Sequence, residues 1–274
     1  CTMTHAPLGV VAGITPFNFP VMVPLWMIPL AITTGNCFIF KPSEQTPLAG
    51  LKIAEYLKEA GLPTGVFSVV NGSREAVEGI CDHSHISAVA FVGSSQVAKI
   101  VYTRSTKAGK RALCLGGAKN HIIIVPDADK DSTAKGLLGS SMGSAGQRCM
   151  AASVAIGVAD IDPIIDQLME ETNSFQLGTD MGTIVSKQAL ERITNYINEA
   201  EKMGAKLLVD GRNFTPPVDY PDGYWIGPTI LDGVDLEWPC AKEEIFGPVL
   251  SIIRVDTIEA ALEIENNNQY GNAA

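Results

Sequence analysis

Short runs of β-branched and aromatic residues alternate with longer stretches whose apolar side chains recur at helical spacing. This alternation limits the fold more than any other feature of the chain. Leu8–Ile14, Cys37–Lys41, Val66–Val70, Ser87–Val92 and Ala112–Leu115 read as strands. Between them, Pro20–Thr33, Pro47–Ala60, Glu75–Cys81 and Ser94–Ala108 read as helices. Leu48, Leu51, Ala54 and Leu57 share one face of the second helix, and Gly61 follows where a left-handed C-terminal residue belongs. Strand–helix–strand order of this kind predicts an α/β fold: a parallel sheet covered by helices on both faces.

The rhythm restarts near Lys119. His121–Val125, Ala152–Val158, Lys206–Val209, Trp225–Leu231 and Val249–Val255 read as strands. Lys130–Met142, Pro163–Thr172, Lys187–Gly204 and Ile258–Asn267 read as helices. The sequence therefore predicts two α/β domains, 1–118 and 119–274. With 274 residues, 46% of them hydrophobic, the chain can supply a core for each.

Charge and cysteine usage exclude several partners. A net charge of −10 argues against nucleic acid and against docking on an anionic membrane. The most apolar run, Phe19–Thr33, is short for a membrane span and carries Pro20, Pro24 and Pro29. The six cysteines form no C-x-x-C pair, and the four histidines do not join them at zinc spacing. A reducing, cytoplasm-like compartment is expected. Both ends of the chain read as interior stretches of a longer polypeptide.

In open parallel sheets ligands bind beyond the carboxyl ends of the strands. That rule singles out Thr15–Phe19, Lys41–Glu44 and Gly93–Ser95. The Asn18 amide can donate to a developing oxyanion, or simply cap the turn before Pro20. Lys41 and Glu44 can take the hydroxyls of a ribose, and Glu44 would repel the extra phosphate of NADP; a solvated charge pair is the alternative. Gly93 and Ser94, at a helix start, suit a pyrophosphate or an ordinary N-cap. In the second domain, Gly146-Gln147-Arg148-Cys149 places a thiol beside a cation, so Cys149 is a candidate nucleophile. Glu243-Glu244-Ile245-Phe246-Gly247-Pro248 sets a carboxylate near an aromatic at a turn. Glu244 could hold a second ribose and Phe246 could pack on a flat ring.

Taken together and in order, F-N-F-P, K-P-S-E, F-V-G-S, L-G-G-A-K-N, G-Q-R-C and E-E-I-F-G-P resemble the aldehyde dehydrogenase superfamily along the whole chain. The runs Pro16–Pro20, Gly117–His121 and Gly146–Ala151 are most similar to its CoA-acylating, methylmalonate-semialdehyde dehydrogenase branch. The resemblance implies a Rossmann-like cofactor domain, of which 1–118 is a part, and an α/β catalytic domain over 119–274. It implies that Cys149 attacks an aldehyde, with the Asn18 amide and the Cys149 N–H forming an oxyanion hole. Hydride would pass to NAD and leave a thioester. Lys41 and Glu44 match positions at the adenosine ribose, and Gly93 and Ser94 those near the pyrophosphate. Glu244 and Phe246 match positions at the nicotinamide ribose and ring, and Phe17 belongs with the cofactor-binding set. Also implied are a small semialdehyde substrate, a homotetramer or dimer, and a cytoplasmic location (the mitochondrial matrix in a eukaryote).

Two residues refine the expectation. Hydrolytic members carry a glutamate two residues before the paired glycines, where this chain has Cys114. Without that base, water is a poor acceptor of the acyl group, and a CoA thiol, nucleophilic as thiolate, needs less help. Arg148, beside the nucleophile, suits a substrate that carries its own carboxylate, such as malonate or methylmalonate semialdehyde. A hydrolytic dehydrogenase and a non-catalytic nucleotide-binding fragment are the alternatives. Dependence of NADH formation on CoA separates the first of these from the acylating reading.

Overall fold

The computed structural model describes residues 1–274, which divide into two compact units, Cys1–Gly117 and Ala118–Ala274. In the first unit the elements run β1 (Val10–Ile14), α1 (Met22–Thr33), β2 (Cys37–Lys41), α2 (Pro47–Glu59), β3 (Phe67–Val69), α3 (Arg74–Asp82), β4 (Ile86–Val92), α4 (Ser95–Lys107) and β5 (Arg111–Leu115). The five strands form one all-parallel sheet in the order β3-β2-β1-β4-β5. Alternate residues of a strand face opposite sides, and β1 is buried on both. Ala12 and Ile14 pack with Ile80 of α3 and Ala98 and Val101 of α4. Val11 packs with Ile28 of α1, and Ile53 and Leu57 of α2 border the same cluster. Helices thus cover both faces, which is why the central strands carry apolar runs without polar alternation.

The second unit runs β6 (Asn120–Ile124), α5 (Lys130–Met142), β7 (Ala152–Val158), α6 (Asp162–Asn173), α7 (Lys187–Met203), β8 (Lys206–Val209), β9 (Thr229–Asp232), the one-turn α8 (Pro239–Lys242), β10 (Val249–Val255) and α9 (Ile258–Asn266). Its sheet is ordered β6-β7-β10-β9-β8 and is parallel except for β8, which pairs antiparallel with β9. Val154 and Ile156 of β7 and Leu250 and Ile252 of β10 form the centre of a core that also takes Leu137, Leu168, Ile193 and Ile197. The long α7 is closed at both ends by local chemistry. The Ser186 hydroxyl accepts from the Ala189 N–H, and Gly204 takes the left-handed conformation at φ 108°.

Two expectations are corrected. The first helix begins at Met22, after a turn that contains Pro20, and it runs through Pro29 to Thr33 as expected. The Thr33 and Thr34 hydroxyls, bonded to the carbonyls of Pro29 and Leu30 at 2.7 Å, close its last turn. The strand expected from Trp225 starts at Thr229, because Pro228 has no N–H to give a ladder. The strand Lys206–Val209 sits antiparallel at the sheet edge, a direction that apolar patterning does not encode. No helix is long and apolar enough to cross a membrane.

Candidate active site

In the second unit, α5 ends in a tight turn, Gly143–Gly146, that hands the chain to Arg148 and Cys149. Ser144, Ala145 and Gly146 all have positive φ, at 52°, 54° and 67°. Such backbone costs about 1–3 kcal/mol per non-glycine residue and persists only where the surroundings fix it. Gln147 supplies part of that restraint. Its Oε1 accepts from the Val185 N–H at 3.0 Å, and its Nε2 donates to the carbonyls of Ser144 and Thr183 at 3.2 Å.

Gly146 supplies the rest. A Cβ there would lie 2.0 Å from the Gly247 carbonyl oxygen, so the cysteine turn and the Glu243–Pro248 turn meet backbone to backbone. Phe246, in the second turn, is also left-handed, at φ 56°. Two residues of α7 hold this turn. Arg192 donates to the Ile245 carbonyl at 3.1 Å, and the Tyr196 hydroxyl donates to the Glu243 carboxylate.

A cavity opens between the two turns. Cys149, Arg148, Asn120, Glu244 and Phe246 all line it. Cys149 is a free, half-buried cysteine. Its carbonyl accepts from the side-chain amides of Asn120 at 2.8 Å and Asn272 at 2.9 Å. Asn120 also donates to the Ala151 carbonyl at 3.0 Å, which ties the cysteine loop to the first residue of β6.

The electrostatics of the cavity are uneven. Glu244 is half-buried, and that burial pushes its carboxyl above the ordinary range although it accepts from the Ala118 N–H at 3.2 Å. The nearby Lys119 is fully buried, donates to the Cys240 carbonyl at 2.7 Å, and is pushed down to about 8 by desolvation. Arg148 makes two long hydrogen bonds, to Ser144 Oγ at 3.4 Å and the Gly139 carbonyl at 3.5 Å. The arginines with carboxylate partners are Arg74, Arg104, Arg212 and Arg254. Arg148 therefore lines the cavity without a carboxylate partner.

The other candidate residues lie at strand ends of the first unit. Lys41, at the end of β2, is buried and donates to Glu44 at 2.9 Å. Partial burial opposes ionisation of Glu44, but a hydrogen bond to its own backbone and the Lys41 ammonium hold its carboxyl below the ordinary value. An exposed carboxylate oriented by a buried ammonium fits a vicinal diol. Gly93 and Ser94 join β4 to α4, and Ser94 stands at the N-cap position with no side-chain cap bond. The Gly93 N–H donates to the Leu115 carbonyl at 3.1 Å and is therefore committed within the protein. Phe17 and Asn18 are half-buried in the bend between β1 and α1.

The profile of the aldehyde dehydrogenase family matches residues 1–274. The chain belongs to the aldehyde dehydrogenase family. Among curated members, a malonate-semialdehyde dehydrogenase from Pseudomonas aeruginosa is 47% identical over 274 residues, covering 97% of this chain and 55% of the relative. The acylating, mitochondrial methylmalonate-semialdehyde/malonate-semialdehyde dehydrogenase of Homo sapiens is 43% identical over 272 residues, covering 97% and 51%. A protein from Sinorhizobium meliloti 1021, solved in complex with NAD and provisionally assigned as a methylmalonate-semialdehyde dehydrogenase, superposes with TM-score 0.95. That comparison has 48% identity and covers 97% of this chain and 56% of the solved one. The chain spans about half the length of the curated relatives it matches.

In this aldehyde dehydrogenase chain, sequence reasoning singled out Arg148, Cys149, Glu244 and Phe246, and all four line one cavity. It gave no role to Gly143, Asn120 or Gln147. Asn120 and Gln147 act through the backbone, by holding carbonyls and N–H groups that no side-chain pattern marks. Their signal was position alone: each sits inside a motif already singled out, G-G-A-K-N and G-Q-R-C.

Proposed function

We propose that the full-length protein oxidises malonate or methylmalonate semialdehyde with NAD and delivers the product as acetyl-CoA or propionyl-CoA with release of CO2. The observation that carries this reading is the unmatched Arg148 guanidinium on the cavity that Cys149 lines. A cation without a carboxylate of its own, next to a nucleophile, suits an aldehyde that brings a carboxylate.

Cys149 adds as thiolate to the aldehyde carbon, and the aldehyde oxygen becomes an oxyanion. Asn18 and the Cys149 N–H are the donors proposed for that charge. NAD, when bound, supplies the hydride acceptor. Lys41, Glu44, Gly93, Ser94, Phe17, Glu244 and Phe246 are the residues proposed to hold it. Loss of hydride from the adduct leaves an acyl thioester on Cys149. The substrate carboxylate leaves as CO2 and the α-carbon takes up a proton; the CoA thiolate then attacks the thioester carbonyl and Cys149 departs as thiolate.

Cys114 at the end of β5 supports this route, because no carboxylate stands where hydrolytic members have one. A hydrolytic reading draws on one observation, the half-buried Glu244 with its raised pKa on the same cavity, which could serve as base for water. A trapping experiment tests the thioester. The full-length protein is incubated with NAD and semialdehyde without CoA, then digested and examined by mass spectrometry. An acyl group on the Cys149 peptide is expected. An unmodified peptide alongside formed NADH would contradict the covalent route.

A further inference from the structure

We propose that Gly143 is a positioning residue for the substrate carboxylate: by lacking a side chain it leaves the space in which the Arg148 guanidinium lies. This rests on the reading of Arg148 given above. A Cβ built on Gly143 would stand 2.1 Å from Nη2 of Arg148, 2.4 Å from Cζ and 2.7 Å from Nη1. Three atoms of the guanidinium, not one, crowd the place of the missing methyl.

The backbone at Gly143 does not need glycine. Its φ of −56° and ψ of 136° are open to any residue. The requirement at this position is space alone. The crowding atoms belong to the far end of a flexible side chain, so an alanine would move the guanidinium and leave the turn where it is.

The surroundings show why the guanidinium lies there. Gly143 follows the last residue of α5, and the last four carbonyls of a helix have no partner within it. Gly139 is one of those four, and its carbonyl accepts from Arg148 Nη1 at 3.5 Å. A cation at a helix C-terminus is also favoured by the helix dipole. On the other side, left-handed Ser144 presents its hydroxyl to Arg148 Nε at 3.4 Å. Gly139, Gly143 and Ser144 together fix where the guanidinium sits without neutralising it. They leave its hydrogen-bonding capacity for a ligand carboxylate on the cavity shared with Cys149.

The test is a double-mutant cycle in the full-length protein with Gly143→Ala, Arg148→Ala and both together. The readout is the ratio of kcat/KM for methylmalonate semialdehyde to that for propanal, which has no carboxylate. Arg148→Ala is expected to lower this ratio about tenfold or more. Gly143→Ala should lower it in the same direction, mainly through KM, and should add nothing in the Arg148→Ala background. A general disturbance of the turn would instead lower both substrates together and would remain additive. If Arg148→Ala lowers the ratio and Gly143→Ala does not, the role of Gly143 is overturned and the carboxylate reading of Arg148 survives. If Arg148→Ala leaves the ratio unchanged, both fall. Alkylation of Cys149 by iodoacetamide in each variant shows whether the turn still presents the thiol; a Gly143→Ala protein that has lost this reactivity has a displaced turn, which also overturns the proposal.

Discussion

The side-chain amide of Asn120 donates to the backbone carbonyl of Cys149 at 2.8 Å, so the first residue of β6 holds the candidate nucleophile by its main chain. The same amide takes the Ala151 carbonyl at 3.0 Å. Removing it takes this donor from the Ala151 carbonyl and leaves the Cys149 carbonyl with Asn272 alone. Asn120→Ala is expected to destabilise the protein by about 1–3 kcal/mol and to slow alkylation of Cys149. Urea unfolding and the iodoacetamide rate check the two effects. A variant as stable and as reactive as the wild type would mean that the loop is held elsewhere.

Gly146 predicts a larger loss. An alanine there must adopt φ near 67° and must also push its Cβ to within 2.0 Å of the Gly247 carbonyl oxygen. Backbone, unlike a side-chain tip, cannot move aside cheaply. Gly146→Ala is expected to cost about 3 kcal/mol or more, read as a fall in the urea midpoint with loss of activity. Near-normal stability would show that the two turns can separate without cost.

Much of this arrangement was legible in the sequence, for a physical reason. Parallel strands covered on both faces must be apolar throughout, so Val10–Ile14 and Val249–Val255 stand out. Helices such as Lys187–Met203 declare themselves through Ile193 and Ile197 on one face and Gly204 at the end. The strand ends then point to the loops where ligands bind. What stayed hidden depends on space and on the main chain. The left-handed run Ser144–Gly146 contains two residues with ordinary side chains, and no spacing rule marks them. Nothing in the sequence marks Gly143, because its backbone is ordinary and its lack of a side chain is what matters. The direction of β8 was hidden too, because an edge strand of four residues carries the same pattern either way.

Glu244 gives a pH dependence with a definite sign. Burial raises its folded-state pKa above the ordinary 4.5. The folded state therefore binds the proton more tightly than the unfolded state. Stability from this group is fully present below the unfolded pKa and is lost as pH rises through the folded one. Glu244→Gln keeps an oxygen for the Ala118 N–H and removes the partly buried charge. The variant is expected to melt higher than wild type at neutral pH, with the gain vanishing below about pH 4, and to bind NAD more weakly. Equal melting temperatures across this range would show that the carboxylate is better solvated than its burial implies.

Lys119 has the opposite sign. Its pKa falls from 10.5 unfolded to about 8 folded, so between these values the unfolded state binds more protons. Stability contributed by this group rises with pH from about 8 to 10.5 and is lower at neutral pH, where a cation is buried. In Lys119→Met that rising limb is expected to disappear from a plot of unfolding free energy against pH. Persistence of the limb would assign it to another group.

The central claim is that the acyl group leaves Cys149 for a CoA thiol and not for water. Its most direct test is NADH formation by the full-length protein with methylmalonate semialdehyde, with and without CoA, and with the acyl product identified. Turnover that requires CoA and yields propionyl-CoA is the predicted result. Free acid formed at the same rate without CoA would contradict it and would make Glu244, the carboxylate on the cavity with Cys149, the first candidate for the hydrolytic base.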